Sequence, residues 1–570
     1  MGFISCMWNR GLMRYDWILH LLCIRGISYS RSRSKIVSLV NSTTNNRSCG
    51  SYFRVPVHAI RTLLRRLEIK SSVFTTRDLF LVCCRERSFS ILLAYCLRRS
   101  FSIRLKSNSK CSECDKSQAF FMFGFHCYII ISELNHKTEL ESRTVTVFDI
   151  LKLMFVALLF VSTSQAADRP NVIVILADDL GYHDLGFQGS KRIKTPHLDQ
   201  LALGGTIFTD AHTTASVCSP SRAGFMTGRY QQRFGHEANV PPPKHGMDIN
   251  EYTMGQAFQS LGYSTFIVGK WHLGDPDRCY PTRRGFDEFW GLREGSRRYW
   301  YDVKKSDRPG DPHGIEHNGK QVKFDGFLTD RFTDQAMRMI DSTDKPFFLF
   351  LSYTAPHGPL EAEEADLARA DNRDPYAALV QNMDDNVGRL IQYLDQKKLR
   401  DNTLIWFLSD NGGTGPTASN VPLNGKKGIK FEGGQRVPFV MNWPGHIPAG
   451  KTFTGLTSAM DIFPTSFQLA GGNTTPKPLD GVDLWPYVTG EKTGSPHQRL
   501  FWKKLEGSAL RDGDWKLIKT EGLPVMLYNL KDDLQEYNNL AESQPEKVEQ
   551  LLKLYESWDA ELAPAQWGEG

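Results

Sequence analysis

RPNVIVILADDLG, residues 169–181, decides the fold. Its run VIVILA is continuous rather than alternating, the pattern of a strand buried on both faces, and it stops at two aspartates and a turn. The design returns at TLIWFLSDNGG (403–413), where an apolar run ends in Asp410 and Asn411, and at KPFFLFLSYTAPHGP (345–359), where another ends near His357. Helical periodicity separates these runs, in TPHLDQLALGG (195–205), YTMGQAFQSLGY (252–263), LTDRFTDQAMRMIDS (328–342) and YAALVQNMDDNVGRLIQYLDQKKL (376–399). Strands alternating with helices predict an α/β layered sheet whose ligands gather beyond the strand ends. Near the C-terminus the short pieces RLFWKKL, SALRDG, DWKLIKT and VMLYNL precede PEKVEQLLKLYESWDAEL, which predicts a small antiparallel sheet with a covering helix.

The net charge of +6 over 570 residues conceals two unlike pieces. Residues 1–150 hold 23 Lys+Arg against 10 Asp+Glu, while the remaining 420 hold 46 against 53, a net of −7 that argues against nucleic-acid binding. Nine of the eleven cysteines also lie in the first piece, leaving Cys218 and Cys279, so disulfides are not expected to staple the rest. At the join, Lys152 precedes LMFVALLFV and the small-residue stretch STSQA, which ends at Ala166. This reads as a secretory signal, and the run is shorter than the roughly 20 apolar residues of a membrane span. The expected organisation is a mis-called or disordered extension over 1–150, with translation starting near Met154. A signal peptide follows over 151–166, then a catalytic domain over 167–490 and a C-terminal subdomain over 491–570. The protein is expected to be exported, to the periplasm or the outside, without a stable membrane anchor. The rival reading of 1–150 is a genuine targeting arm.

Asp178, Asp179, Asp410 and Asn411 combine three carboxylates with an amide oxygen, a hard donor set suited to Ca²⁺ or Mg²⁺. In VGKWHLG, Lys270 and His272 are two apart, so on an extended segment both project from one face. Lys427, in the glycine-rich NGKKGIKFEGGQRVP, adds a further cation, and with Arg222 and His357 these would form an anion site beside a metal. Cys218 opens CSPSR, where Pro220 suits the first turn of a helix and Arg222 lies one turn on.

CSPSR at 218–222, followed by TGR at 227–229, closely resembles the signature of the type I formylglycine-dependent sulfatases. DDLG at 178, GKWHLG at 269, GFDEFWG at 285, PH at 356, DNGG at 410 and KGIKFEGG at 427 follow in the family's order. The resemblance implies an alkaline-phosphatase-like α/β/α core with a large mixed sheet, a single Ca²⁺, and oxidation of Cys218 to formylglycine by a maturation enzyme. It implies a sulfuric ester hydrolase in which the formylglycine hydrate attacks the sulfate. By matching positions, Asp178, Asp179, Asp410 and Asn411 would hold the calcium. Arg222, assisted by Lys270, would hold the formylglycine; Lys427 and His357 would bind sulfate and help protonate the leaving alcohol; His272 would take a proton from the diol. Lys427 is preferred to Lys426 or Lys430 because it directly precedes the GxxFEGG pattern.

The expected substrate is a sulfated oligosaccharide or polysaccharide. REGSRRYWYD (293–302) suggests a subsite in which a sugar stacks on Tyr299, Trp300 or Tyr301 and a neighbouring sulfate pairs with Arg297 or Arg298. His183 and His212 depart from the family pattern and would either line a subsite or be exposed loop histidines. Two alternatives stay open: a phosphodiester or phosphonate monoester hydrolase of the same superfamily, and a sulfated-glycan-binding protein whose Cys218 is never converted.

Overall fold

The computed structural model describes residues 169–241, 245–505 and 507–567. The expectations for 1–150 and for the signal at 151–166 lie outside the described residues.

Strand Asn171–Ala177 is buried at every position, and so are its parallel neighbours Phe347–Ser352 and Thr403–Ser409. Val172, Val174 and Leu176 pack into one apolar layer, and Ile173, Ile175 and Ala177 into the opposite one. With both faces covered no position needs a polar side chain, which is why the sequence runs apolar without alternation. Ten strands complete the sheet, in the order Lys451–Phe453, Thr206–Phe208, Phe439–Asn442, Thr403–Ser409, Asn171–Ala177, Phe347–Ser352, Ser264–Lys270, Glu288–Leu292, Glu316–His317 and Lys320–Gln321. The five from Thr403–Ser409 to Glu288–Leu292 are mutually parallel, and Phe439–Asn442 runs against them, so the sheet is mixed.

The four periodic segments form helices Pro196–Leu203, Met254–Ser260, Leu328–Asp341 and Pro375–Gln396. Met254–Ser260 starts sharply because Thr253 and Gln256 close a capping box. A fifth helix, Cys218–Thr227, carries Ala223, Phe225 and Met226 into the layer of Val172.

Strands Arg499–Lys504, Gly507–Asp512, Trp515–Thr520 and Met526–Asn529 form an antiparallel sheet. Leu510, Leu517 and Leu527 pack there with Leu551, Tyr555 and Trp558 of helix Pro545–Asp559. A buried charge network joins this sheet to the large one. Glu432 accepts from Lys516 at 2.8 Å, with Arg436 at 3.3 Å and Arg511 at 3.4 Å, and pairs with His212 Nε2 at 2.9 Å. Burial alone would raise the Glu432 carboxyl, but Lys516, His212 and Arg511 outweigh it and hold the group well below the usual range. His212 is therefore neither an exposed loop residue nor a subsite wall: it is fully buried as a partner of Glu432.

Gln566 and Trp567 form a strap. Gln566 N–H donates to Gly235 O at 2.8 Å, Trp567 Nε1 donates to Ala238 O at 3.1 Å, and the Trp567 ring stands edge-on to His236 at 4.7 Å. His236 Nε2 lies 2.7 Å from Ser219 Oγ, one residue from Cys218. Burial pushes the His236 imidazole down from 6.5 to about 3. The folded protein thus resists a proton that the unfolded chain accepts. This contribution to stability is complete above pH 6.5 and is lost as pH falls toward 3. The loss reaches about 3 kcal/mol by pH 4.5. Thermal melts should show that His236→Gln flattens the fall in Tm between pH 6.5 and pH 4.5, and equal slopes in both proteins would place the controlling titration elsewhere.

Candidate active site

Four adjacent parallel strands deliver the polar residues to one rim. Asp178 and Asp179 follow Asn171–Ala177, Asp410 and Asn411 follow Thr403–Ser409, His357 follows Phe347–Ser352, and Lys270 ends Ser264–Lys270. The carboxyl ends of neighbouring parallel strands form a crevice, so residues far apart in sequence meet there. Cys218 enters from the second layer as the first residue of its helix, after an extended Val217.

Lys427 Nζ lies 2.9 Å from Cys218 Sγ and reaches both oxygens of Asp179, at 2.6 and 2.8 Å. Asp178 Oδ1 is 3.7 Å and Asp179 Oδ1 3.9 Å from the same sulfur. Lys270 Nζ donates to Asp178 Oδ2 at 2.6 Å, and His357 Nε2 stands 3.6 Å from Asp179 Oδ2. Arg222 lies beneath this group. Its Nε donates to Asp410 Oδ2 at 2.9 Å and one terminal nitrogen to Ser352 Oγ at 2.7 Å, while the other is 3.8 Å from Asp178. Lys270, Arg222, Asp178 and Asn411 are all within 1% of full burial.

Burial pushes the Cys218 thiol up to about 12; Lys270 pulls the other way, and the carboxylates of Asp410, Asp178 and Asp179 oppose that pull. A thiol so raised is a poor nucleophile at neutral pH. Around Asp178 the balance is reversed: burial raises its carboxyl, yet Lys270, His357 and Arg222 together bring it below the ordinary value. Burial would discharge Lys427, but the carboxylates of Asp179, Asp178 and Asp410 keep it charged. His272 is driven well below its ordinary range by burial, then by Lys270, Arg222 and Lys427, so it is neutral.

Ligand atoms of Asp178, Asp179, Cys218 and His357 all lie within 4.8 Å of one another. Asn411 turns its amide nitrogen to Asp179 at 2.7 Å, leaving a buried Oδ1 with no hydrogen-bond partner. An orphaned amide oxygen beside two carboxylates fits a hard cation. Both oxygens of Asp410 are engaged as well: Oδ2 holds Arg222 and Oδ1 accepts the Asp179 N–H at 3.2 Å.

Several residues behave differently from the sequence reading. His272 is not on an extended segment: the strand ends at Lys270 and His272 takes a left-handed φ of 56°. Arg297 and Tyr299 do not form a sugar subsite. Arg297 is buried, with both terminal nitrogens 2.9 Å from Asp307 oxygens, and Tyr299 stacks on Phe327 with its hydroxyl bonded to the carbonyls of Thr354 and His357. Tyr299 therefore anchors the His357 turn from below. Arg298 pairs with Glu361, and of the three aromatic residues Trp300 is the one that is exposed. Arg297→Ala should lower stability by about 3 kcal/mol, the cost of stranding a buried carboxylate. Chemical denaturation reads that loss, and an unchanged midpoint would contradict it.

The sequence reading missed Ser352 and Ser409, polar residues closing apolar strands. Ser352 holds Arg222, and Ser409 Oγ accepts the Leu180 N–H at 3.0 Å and donates to Asn411 O at 2.7 Å. Their signal was available: each directly ends a buried run. Tyr376 was also missed; its hydroxyl donates to Asp184 at 2.7 Å and accepts the Gly181 N–H at 3.2 Å, pinning the DDLG turn.

A layered α/β core with its polar rim at the strand ends and a small appended sheet is the alkaline-phosphatase-like architecture. Residues 170–472 match the Sulfatase family model, and residues 426–557 match N-sulphoglucosamine sulphohydrolase, C-terminal. The chain belongs to the sulfatase family. Arylsulfatase G of Rattus norvegicus is 30% identical over 469 residues, covering 69% of this chain and 87% of that one. N-acetylgalactosamine-6-sulfatase of Sus scrofa is 34% identical over 360 residues, 58% of this chain and 68% of that one. Among solved structures, Ps i-CgsB in complex with k-i-k-neocarrahexaose is 36% identical with a TM-score of 0.67, covering 70% of this chain and 95% of that one.

Proposed function

We propose that this sulfatase removes sulfate from a sulfated oligosaccharide or polysaccharide, with Cys218 matured to formylglycine and one Ca²⁺ bound. The observation that carries this reading is the convergence on a buried, inert sulfur of an ammonium at 2.9 Å and two carboxylates at 3.7 and 3.9 Å. The relative bound to a neocarrahexaose supports the carbohydrate class.

Asp178, Asp179, Asn411 and Asp410 would hold the calcium, which supplies positive charge against the sulfate oxygens. Formylglycine, as its hydrate, supplies an oxygen nucleophile where the thiol has none. The remaining work belongs to the chain's own side chains. Lys427 stays charged and faces position 218, so it attracts the sulfate and can donate a proton at Nζ toward the leaving oxygen. His357 has Nδ1 fixed 2.7 Å from Gly358 O, which aims Nε2 at the rim. His272 has a buried Nδ1 without a partner. As a neutral imidazole it can take a proton there, and an arriving sulfate ester offsets the cations that depress it. Arg222 and Lys270 hold Asp410 and Asp178 in place from below.

Export, a maturation enzyme as partner and the organisation into 151–166, 167–490 and 491–570 belong to the same proposal. Among the described residues no helix is long and apolar enough to cross a membrane. Three measurements test the proposal together. Peptide mass spectrometry should find an aldehyde at position 218; calcium chelation should abolish, and Ca²⁺ restore, aryl sulfate hydrolysis; and aryl sulfate should be preferred to aryl phosphodiester. A native thiol in active protein, or a preference for the phosphodiester, would replace this reading.

A further inference from the structure

The turns that follow Asp178–Asp179 and Asp410–Asn411 meet backbone to backbone. A Cβ on Gly413 would sit 2.8 Å from Gly181 Cα and 2.5 Å from Ala418 Cβ, and one on Gly181 would sit 2.6 Å from Ser419 O. No side chain fits between turns packed so closely, so a group that fixes their separation has to reach them from the flank. Ser409 does this on one side, through the Leu180 N–H and Asn411 O. On the other side stands Asn420, which no step described above uses.

Asn420 is buried, and its carboxamide is fully used. Oδ1 accepts the Tyr182 N–H at 3.3 Å and the Gly413 N–H at 3.0 Å, while Nδ2 donates to Gly413 O at 3.1 Å and to Gly425 O at 3.3 Å. Two donor hydrogens and two accepted bonds are what such a group offers. The partners also fix which way the amide faces, because a flip would set its oxygen against two carbonyls and its nitrogen against two N–H groups. Gly413 O takes a further bond from the Lys427 N–H at 3.1 Å, and Gly425 lies two residues before Lys427.

One amide therefore joins the turn after Asp178 and Asp179, the turn after Asp410 and Asn411, and the loop that brings Lys427 to Cys218. Each bond ends on a backbone atom of a residue that is neither a candidate metal ligand nor Lys427, so Asn420 acts through the chain. We propose that Asn420 is a positioning residue that sets together the spacing of the two calcium-bearing turns and the reach of Lys427. Calcium affinity and turnover then depend on a side chain that touches neither ion nor sulfate. The inference rests on the calcium and sulfatase reading given above. Groups that hold metal-bearing residues from outside typically contribute about 10- to 100-fold in metal affinity or activity.

Ca²⁺ is titrated calorimetrically into wild type, Asn420→Ala and Asn442→Ala, and aryl sulfate kinetics are run in parallel at saturating Ca²⁺. Asn442 is also buried; its Nδ2 donates to Leu201 O at 2.7 Å, and it pairs with Ile405 near the start of strand Thr403–Ser409, away from the catalytic rim. Both variants should lower Tm, since each leaves buried backbone groups unpaired. Asn420→Ala should in addition weaken Ca²⁺ binding about tenfold or more and lower kcat about tenfold with little change in KM. Asn442→Ala should keep the wild-type affinity and kcat. Wild-type affinity and kcat in a folded Asn420→Ala, or equal losses in Asn442→Ala, would overturn the proposal. If Asn420→Ala does not fold, hydrogen exchange of the wild type decides: the Tyr182 and Gly413 amides share one acceptor, so they should show one protection factor, and unrelated values would overturn the proposal. If wild type takes up no Ca²⁺, the calcium reading falls, and the exchange of those two amides still decides the case for Asn420.

Discussion

Cys218→Ala is expected to lower aryl sulfate turnover by about 10⁴-fold or more, the scale seen when a covalent nucleophile is deleted. The fold should survive, because the side chain is small and its nearest polar partner, Lys427, keeps both bonds to Asp179. The unconverted wild type should be as inactive as the variant. With its thiol pushed up to about 12, position 218 carries essentially no thiolate at neutral pH. Activity per molecule should therefore track the fraction of chains bearing the aldehyde, measured by peptide mass spectrometry on preparations matured to different extents. Substantial turnover in a preparation that is wholly thiol would remove the proposed nucleophile.

For Lys427→Ala we expect kcat/KM for aryl sulfate to fall about 10²- to 10³-fold, the range for removing one preorganised donor to developing negative charge. The loss should appear chiefly in kcat, because charge builds on the leaving oxygen in the transition state. Lys426→Ala should stay near wild type: its side chain is exposed and no partner holds it among the described residues. A reversed outcome, with Lys426 carrying the loss, would move the catalytic cation by one position along the loop.

Much of this architecture could be read before any coordinates. Apolar runs that stop abruptly at Asp178, at Asp410 and shortly before His357 reveal a doubly covered sheet and its functional edge at once, because burial on both faces leaves polar groups nowhere else to go. What stayed hidden depends on partners distant in sequence or on a single torsion. Nothing near His212 announces Glu432, 220 residues on, so a core histidine looked like a loop residue. Interleaved arginines and aromatics in 293–302 suggested a sugar platform, yet Asp307 draws Arg297 inward and Phe327 covers Tyr299. The turn at His272 breaks the alternation assumed for Lys270 and His272, since one left-handed residue redirects everything after it.

The chain cannot be trimmed to its chemistry. Glu432, five residues past Lys427, is fully buried, and two of its cationic partners, Lys516 and Arg511, come from the appended sheet. A fragment ending before that sheet would take two cations from a carboxylate at the root of the catalytic loop, leaving it His212 and Arg436. Swapping the appended sheet for that of a relative would likewise succeed only if cations arrived at the same two positions.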